Sequence, residues 1–299
     1  MVNVIWDDMG KKISIIIPAY NEEEKLSALI DSVEKQTVRP FEAILVDDCS
    51  TDNTREIASK NFKVISTPRN MGPAAARNLG MQYAKGDYFA FLDADCRPNP
   101  DWLANVEKQI DANNADVITG GYAVEASTFI GKSIGALGFP CGGSIGFEKM
   151  WPVAKDGTVE KISTGNFIIP KSVIQKTGGF DESFTYCYED AWFTHQLVES
   201  GVKIKFCPDI NVNHTARETL KSFIHWHYSR GKGLNLFKEK VGKLNRYYKL
   251  RIWSTKNIIK AYYTDIKFPV IMSLLVLSVI LQKVACLVDK WDKRKCKEV

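Results

Sequence analysis

The segment Tyr88-Phe-Ala-Phe-Leu-Asp-Ala-Asp-Cys96 ends an apolar run in two carboxylates, Asp93 and Asp95. Such a run, bounded by polar residues, is the pattern of a buried strand in a parallel sheet. Residues two apart on extended backbone project to one side. Open α/β sheets bind ligands beyond the carboxyl ends of their strands. Two carboxylates there make a hard-oxygen site for Mg²⁺ or Mn²⁺, ions that usually share their shell with substrate phosphates. The same three residues also describe a helix cap or a polar turn ahead of Pro98 and Pro100. Asp-x-Asp is too short a pattern to choose between these alone.

The elements that would position these carboxylates are legible around them. Lys12 to Tyr20, Phe41 to Val46, Phe62 to Ser66 and Tyr88 to Leu92 read as strands. Between them, Glu22 to Gln36, Thr54 to Asn61 and Gly72 to Ala84 read as helices, the last opened by Gly-Pro. This alternation predicts a doubly wound, mostly parallel sheet over residues 12–95. Three strands then end in polar clusters on one sheet edge: Pro18-Ala-Tyr-Asn-Glu22, Asp47-Asp48 and Asp93-Ala-Asp95. The absence of Gly-x-Gly-x-x-Gly after Ile17 argues against a dinucleotide-binding sheet. Further on, Trp102 to Ile110 predicts a helix, Asp116 to Gly121 a strand, and Thr164 to Pro170 a strand followed by a helix from Lys171. Gly131 to Gly146, rich in glycine and poor in charge, reads as a loop over the ligand site, or as a linker near a membrane.

Four segments in register carry a resemblance: Ile15-Ile-Ile-Pro-Ala-Tyr-Asn-Glu22, Val46-Asp-Asp-Cys-Ser-Thr-Asp-Asn-Thr54, Gly72-Pro-Ala-Ala-Ala-Arg-Asn-Leu-Gly80 and Phe91-Leu-Asp-Ala-Asp95. Together they resemble the family 2 glycosyltransferases over roughly residues 12–235. The resemblance implies a GT-A fold, a nucleoside-diphosphate (NDP) sugar donor, with a UDP-sugar foremost, a divalent Mg²⁺ or Mn²⁺ ion, and inversion at the anomeric carbon. By motif, Pro18, Tyr20, Glu22 and Asp48 would hold base and ribose, Arg77 would lie near the diphosphate, and Asp93 and Asp95 would serve donor sugar and metal. The segment Gly178-Gly-Phe-Asp181 precedes the family's acidic motif, here Tyr188-Glu-Asp190, which makes Asp190 the general base for an acceptor hydroxyl. Some relatives use a histidine near His214 as a metal ligand. The membrane-processive motif Gln-x-x-Arg-Trp is absent, and His225-Trp-His-Tyr-Ser-Arg230 stands in its place.

Structural readings stand beside these. A carboxylate in a first helical turn is favoured by the helix dipole, which would suffice for Glu189 and Asp190. Tyr20 could pack, Arg77 could be a helix-surface charge, and His214 could be a structural hydrogen-bonding residue. Trp226 and Arg230 could border acceptor or diphosphate, or only pack.

Composition places the chain among ordinary globular proteins, with 45% hydrophobic and 25% charged residues over 299. Its net charge of +5 hides an asymmetry: from Arg217 onward there are 19 Lys and Arg against 6 Asp and Glu. An acidic body with a basic tail points to a membrane surface or another polyanion. Seven cysteines without Cys-x-x-Cys spacing predict free thiols in a reducing compartment. Met1 to Gly10 holds Asp7 and Asp8 and no apolar core, so no signal peptide is expected. Basic and aromatic residues interleave from Lys238 to Lys267, ahead of an apolar stretch over 268–288 that is broken only by Gln282-Lys283. The length suits a spanning helix, an in-plane anchor or a buried helix. Basic and aromatic mixing fits nucleic acid or a membrane interface alike, and the apolar stretch that follows decides for membrane.

The expected organisation is a GT-A domain over 1–236, divided into a nucleotide half (12–97) and an acceptor half (98–236), with a basic helical tail over 237–299. The expected activity is an inverting, metal-dependent glycosyltransferase at the cytosolic face of the cell membrane, acting on a lipid-linked or cell-surface glycan. The alternatives are a sugar-phosphate nucleotidyltransferase and a non-catalytic nucleotide-sugar-binding protein.

Overall fold

A computed structural model describes residues 11–112, 115–138, 152–185, 187–242 and 244–295. Strands β1 (Ile13–Ala19), β2 (Glu42–Asp47), β3 (Lys63–Ser66) and β4 (Tyr88–Leu92) alternate with helices α1 (Glu23–Glu34), α2 (Thr54–Ala58) and α3 (Pro73–Tyr83). All pairings among these four strands are parallel, with Ala19 beside Asp47 and Ile16 beside Phe91, so their carboxyl ends share one edge. Both sheet faces are covered. Ile13, Ile15 and Ile17 face a core with Leu26 and Leu29 of α1, while Ile16 joins Ala74 and Ala76 of α3 on the other side. This is why the strands read as near-continuous apolar runs and not as alternating ones.

The second half of the sheet is mixed. It contains β5 (Cys96–Pro98), α4 (Trp102–Asp111), β6 (Val117–Glu125), α5 (Phe129–Gly135), β7 (Asn166–Pro170), α6 (Lys171–Thr177), α7 (Glu189–Glu199) and β8 (Ile204–Thr215). The strand order is β3-β2-β1-β4-β7-β6-β8-β5, with β7 antiparallel to β4 and β6, and β5 antiparallel to β8. Phe167 of β7 stacks on Phe91 of β4 at 4.7 Å between ring centroids, joining the two halves. Asn166, fully buried, accepts from Trp102 Nε1 at 2.8 Å and donates to the Gly121 and Ile210 carbonyls at 2.9 Å. One amide thus ties α4, β6, β7 and β8 together.

Two local expectations change. The glycine-rich span begins as a helix: Thr128 caps α5 by accepting from Gly131 N at 2.8 Å, and Ile134 packs into an apolar cluster with Phe223. Residues 139–146 of that span lie outside the described residues. The strand expected over Lys203 to Cys207 runs on to Thr215, past a register shift on its partner at Gly120/Gly121, so His214 sits within a strand.

Helices α8 (Leu220–Val241), α9 (Asn245–Tyr262) and α10 (Phe268–Lys295) complete the described chain. By length and hydropathy α10 is long and apolar enough to cross a membrane. One of its faces is nevertheless docked along α8. Ile271, Leu274 and Leu275 cluster with Phe223, and Asn235 Nδ2 donates to the Cys286 carbonyl and to Asp289, each at 2.8 Å. A Cβ on Gly231 would lie 2.6 Å from both the Gln282 carbonyl oxygen and Ala285 Cβ, so the contact requires glycine. Gln282 is buried between helices: its Nε2 lies 2.9 Å from His227 Nδ1, and its Oε1 accepts from Arg251 at 3.4 Å.

An amide nitrogen only donates, so His227 Nδ1 must accept, which requires the neutral ring. Burial, reinforced by the charges of Arg230, Arg217 and Arg251, pulls His227 down to about 3. Between that value and the ordinary ~6.5 the unfolded chain binds a proton that the native ring refuses. The stabilisation is complete above pH 6.5 and is lost as pH falls toward 3. By pH 5 the loss is about 2 kcal/mol. Urea unfolding followed from pH 8 to pH 5 should show this slope in the native chain and a flatter one in His227→Gln. Equal slopes would remove the assignment.

Candidate active site

The β1–α1 and β2–α2 loops are laced together at the sheet edge. Asn21 and Cys49 take left-handed backbone, φ 54° and 63°. Asn21 N donates to Ser50 Oγ at 3.0 Å, Glu22 N to Thr54 Oγ1 at 2.8 Å, and Glu23 N to Asp52 at 3.2 Å. Thr51 N returns a bond to Asn21 Oδ1 at 2.8 Å. The Asp-Asp-Cys-Ser-Thr-Asp-Asn-Thr segment therefore fixes the loop that carries Tyr20 and Glu22.

Asp48, buried, accepts from Thr67 Oγ1 at 2.7 Å, Met71 N at 2.9 Å and Gly72 N at 2.7 Å. A carboxylate has about four acceptor positions, so about one remains for a ligand. Gly72 then opens α3 at φ 89°, and a Cβ there would meet the Thr185 carbonyl oxygen at 2.5 Å. The glycine lets the start of α3 lie against the segment that leads to α7.

Arg77 of α3 is buried and reaches two carboxylates, Glu189 Oε1 through Nη1 and Asp93 Oδ1 through Nη2, both at 2.9 Å. Its guanidinium lies 5.5 Å from the Phe180 ring centroid, and its Nε has no hydrogen-bond partner. Burial pushes the Glu189 carboxyl up, as does Asp190, and Arg77 opposes them. Arg77 reaches the cavity, but both terminal nitrogens are engaged by protein carboxylates.

Asp93 and Asp95 do not sit on one face of an extended strand. Asp93 follows β4 and its carbonyl accepts from Cys96 N at 3.0 Å, closing a turn through Ala94 and Asp95. The register that pairs Cys96 with His214 across β5 and β8 then sets Asp95 beside the histidine, with His214 Nε2 3.2 Å from Asp95 Oδ2. Lys25, one turn along α1 from Glu22, lies 2.8 Å from Glu22 and 3.9 Å from Asp95. Burial disfavours the Asp95 charge, but His214, Lys25 and Arg217 outweigh it and hold the carboxyl below its usual range. Burial pushes Glu22 up against the pull of Lys25.

Asp95, His214 and the buried Cys96 bring their ligand atoms within 4.8 Å of one another. Carboxylate oxygen and imidazole nitrogen suit a borderline-hard ion such as Mn²⁺. Burial pushes the Cys96 thiol well up, with Asp95 and Asp93 adding to the rise, so it stays protonated and is a poor ligand.

Tyr188 precedes α7 at φ 74°, an uncommon conformation for a bulky residue. Its buried ring stacks on Phe237 at 5.2 Å and lies under the Arg230 guanidinium at 4.7 Å. Glu189 and Asp190 then form the first turn of α7. Asp190 Oδ1 accepts from Ala191 N at 2.7 Å, and its second oxygen has no hydrogen-bond partner among the described residues.

One cavity of about 480 Å³ brings all of this together. Its walls include Pro18, Tyr20, Glu22, Asp48, Arg77, Asp93, Asp95, Asp190 and His214, the residues expected to serve donor, metal and proton transfer. Trp226 and Arg230 line it too, as does Arg217, which belongs to no motif. Arg217 and Arg230 lie over the Trp226 ring at 4.4 and 5.0 Å. The site is a sheet-edge cleft with an acidic floor, a carboxylate–imidazole pair and a cationic, aromatic wall.

Residues 14–150 match the family described as Glycosyl transferase family 2, and residues 88–288 match Glycosyl transferase family group 2. The chain is 27% identical over 218 residues to "Glycosyltransferase AglE" of Haloferax volcanii, an alignment that takes in 69% of this chain and 67% of that one. It is 38% identical over 131 residues to the Escherichia coli "UDP-Glc:alpha-D-GlcNAc-diphosphoundecaprenol beta-1,3-glucosyltransferase WfgD", over 41% of this chain and 50% of that one. In fold it is similar to the mannosyltransferase PcManGT from Pyrobaculum calidifontis, solved with GDP-Man and Mn²⁺, at a TM-score of 0.61 and 16% identity over 95% of this chain and 88% of the other. It is also similar to S. aureus TarS 1-349, solved with UDP-GlcNAc, at a TM-score of 0.54 and 19% identity over 94% and 92%. The chain belongs to the family 2 glycosyltransferases, enzymes of the glycosyltransferase type, and has a GT-A fold.

Proposed function

We propose that the chain moves a sugar from an NDP-sugar, foremost a UDP-sugar, to a hydroxyl of a lipid-linked glycan, with inversion at the anomeric carbon. The observation that carries the reading is the single cavity joining the polar strand ends, the Asp95–His214 pair and Asp190. Asp48, Pro18, Tyr20 and Glu22 line the part that would take base and ribose. Asp95 and His214 would hold a divalent ion, Mg²⁺ or Mn²⁺. Such an ion supplies charge stabilisation to a departing diphosphate. Arg217 and Arg230, stacked with Trp226, are assigned to that diphosphate in place of Arg77, whose cationic nitrogens are already paired. Arg77 instead positions Asp93 and Glu189. Asp190 takes the proton of the acceptor hydroxyl as its oxygen attacks the anomeric carbon.

The acceptor assignment draws on the E. coli relative, whose name gives a diphosphoundecaprenol-linked sugar as its substrate. It also draws on the tail. Val276, Ile280, Val284, Leu287 and Trp291 form a stripe on α10 that is 46–67% exposed, while the opposite face is docked on α8. Ile252 and Ile259 of α9 are exposed as well, interleaved with exposed Lys256 and Lys260. A helix with one docked face and one apolar face suits in-plane seating on a bilayer, with nearby lysines facing anionic headgroups. The catalytic body would lie on the cytosolic side, where NDP-sugars are found. The reading is tested by donor-induced thermal stabilisation that depends on a divalent metal.

A further inference from the structure

A second groove, about 520 Å³, lies between the 152–161 segment and α9. Its size falls within the range of small-ligand sites. Val153, Val159, Leu250 and Trp253 give it apolar walls, Lys161 and Lys249 are its cationic residues, and Glu160 is the carboxylate on its rim. Lys161 and Leu250 also line the active-site cavity, so the groove and the cavity adjoin. The same helix carries Tyr248 and Ile252, both more than half exposed, on the apolar and basic surface described above.

A ligand that satisfies groove and cavity together needs three parts in order. It needs an apolar chain for the groove, an anionic linkage for Lys161, and a hydroxylated head near Asp190. A soluble polysaccharide or a polar peptide would leave the partly exposed Val153, Leu250 and Trp253 facing water or polar atoms, which is unfavourable. We propose that this groove binds the hydrocarbon chain of the acceptor, joined through a phosphate at Lys161 to the sugar in the cavity. The proposal rests on the lipid-linked acceptor reading above and states where that lipid lies.

The test is calorimetric titration of the full chain with dodecyl phosphate below its micellar concentration. Inorganic phosphate and dodecyldimethylamine oxide, which has no sugar and no net charge at pH 8, serve as the phosphate-only and chain-only arms. Saturable binding of dodecyl phosphate is expected, at least about tenfold tighter than either arm. It should weaken at least about tenfold in Val153→Arg and in Trp253→Ala, two partly exposed positions. Both variants should keep the native donor-induced thermal shift, which shows that they fold. Equal binding of dodecyl phosphate by native chain and both variants would overturn the proposal, as would no saturable binding while the donor response is intact. Inorganic phosphate binding as tightly as dodecyl phosphate would also overturn it, since a phosphate site would then suffice. Sedimentation with anionic vesicles should be unchanged in Val153→Arg. Its loss would place the groove on the bilayer-docking face and refute an acceptor site. A native chain that responds to no donor contradicts the glycosyltransfer proposal itself, a separate failure.

Discussion

Asp190→Asn is expected to lower turnover by about 10²–10⁴-fold, the usual contribution of a positioned general base, while donor binding stays within about twofold. The substitution is nearly isosteric, and the amide oxygen can still accept from Ala191 N, the bond that holds the native side chain at 2.7 Å. What it loses is the charge that would receive the acceptor proton. Removing a carboxylate from the first turn of α7 costs about 0.3–1 kcal/mol through the helix dipole, too little to unfold the chain. Steady-state kinetics with calorimetric donor affinity separates the alternatives. A nucleotide-sugar-binding protein would show no turnover to lose, and unchanged turnover would return Asp190 to the role of a favourable first-turn residue.

Arg77→Met carries the second large effect, and it falls on stability. Arg77 is the shared partner of Glu189 and Asp93. Removing one member of a buried ion network leaves uncompensated charge and costs about 3–5 kcal/mol. The cost should concentrate on Glu189, whose side chain is 9% exposed, because Asp93 at 37% can be rehydrated from the cavity. Urea unfolding should show the loss in Arg77→Met, and adding Glu189→Gln should restore part of it. Additive effects of the two substitutions would contradict the coupling. The result also bears on function, since an arginine that only faced a diphosphate would leave the free protein nearly as stable without it.

The parallel half of the fold was legible because its signals are local: apolar runs of strand length, helical spacing between them, and polar clusters where each strand ends. The pairing of Asp95 with His214 was not. It depends on the β5–β8 register between segments 118 residues apart, from Cys96 to His214. The geometry first expected of Asp93 and Asp95, two carboxylates on one strand face, gave way to a turn because the Asp93 carbonyl is closed by Cys96 N. Arg217 left no trace in the sequence, since a lone arginine after a strand has no distinguishing spacing. Hydropathy and length found α10 but could not show that it docks. The clues were the polar Gln282 within the apolar run and the small Gly231 on α8, and both gain meaning only once the helices face each other.

The most direct test of the proposed chemistry is thermal unfolding of the chain with UDP-, GDP-, CDP- and dTDP-sugars, in Mn²⁺ and again in EDTA. Binding to the native state at a hundredfold excess over Kd stabilises by about 2.7 kcal/mol, a rise in Tm of roughly 5 °C for a chain of this size. The account predicts such a rise for one nucleotide class, present with Mn²⁺, much reduced in EDTA, and reduced in His214→Ala by no more than EDTA reduces it. A chain whose Tm responds to none of the four donors, with or without metal, would contradict it, and Asp93-Ala-Asp95 would then be a turn and nothing more.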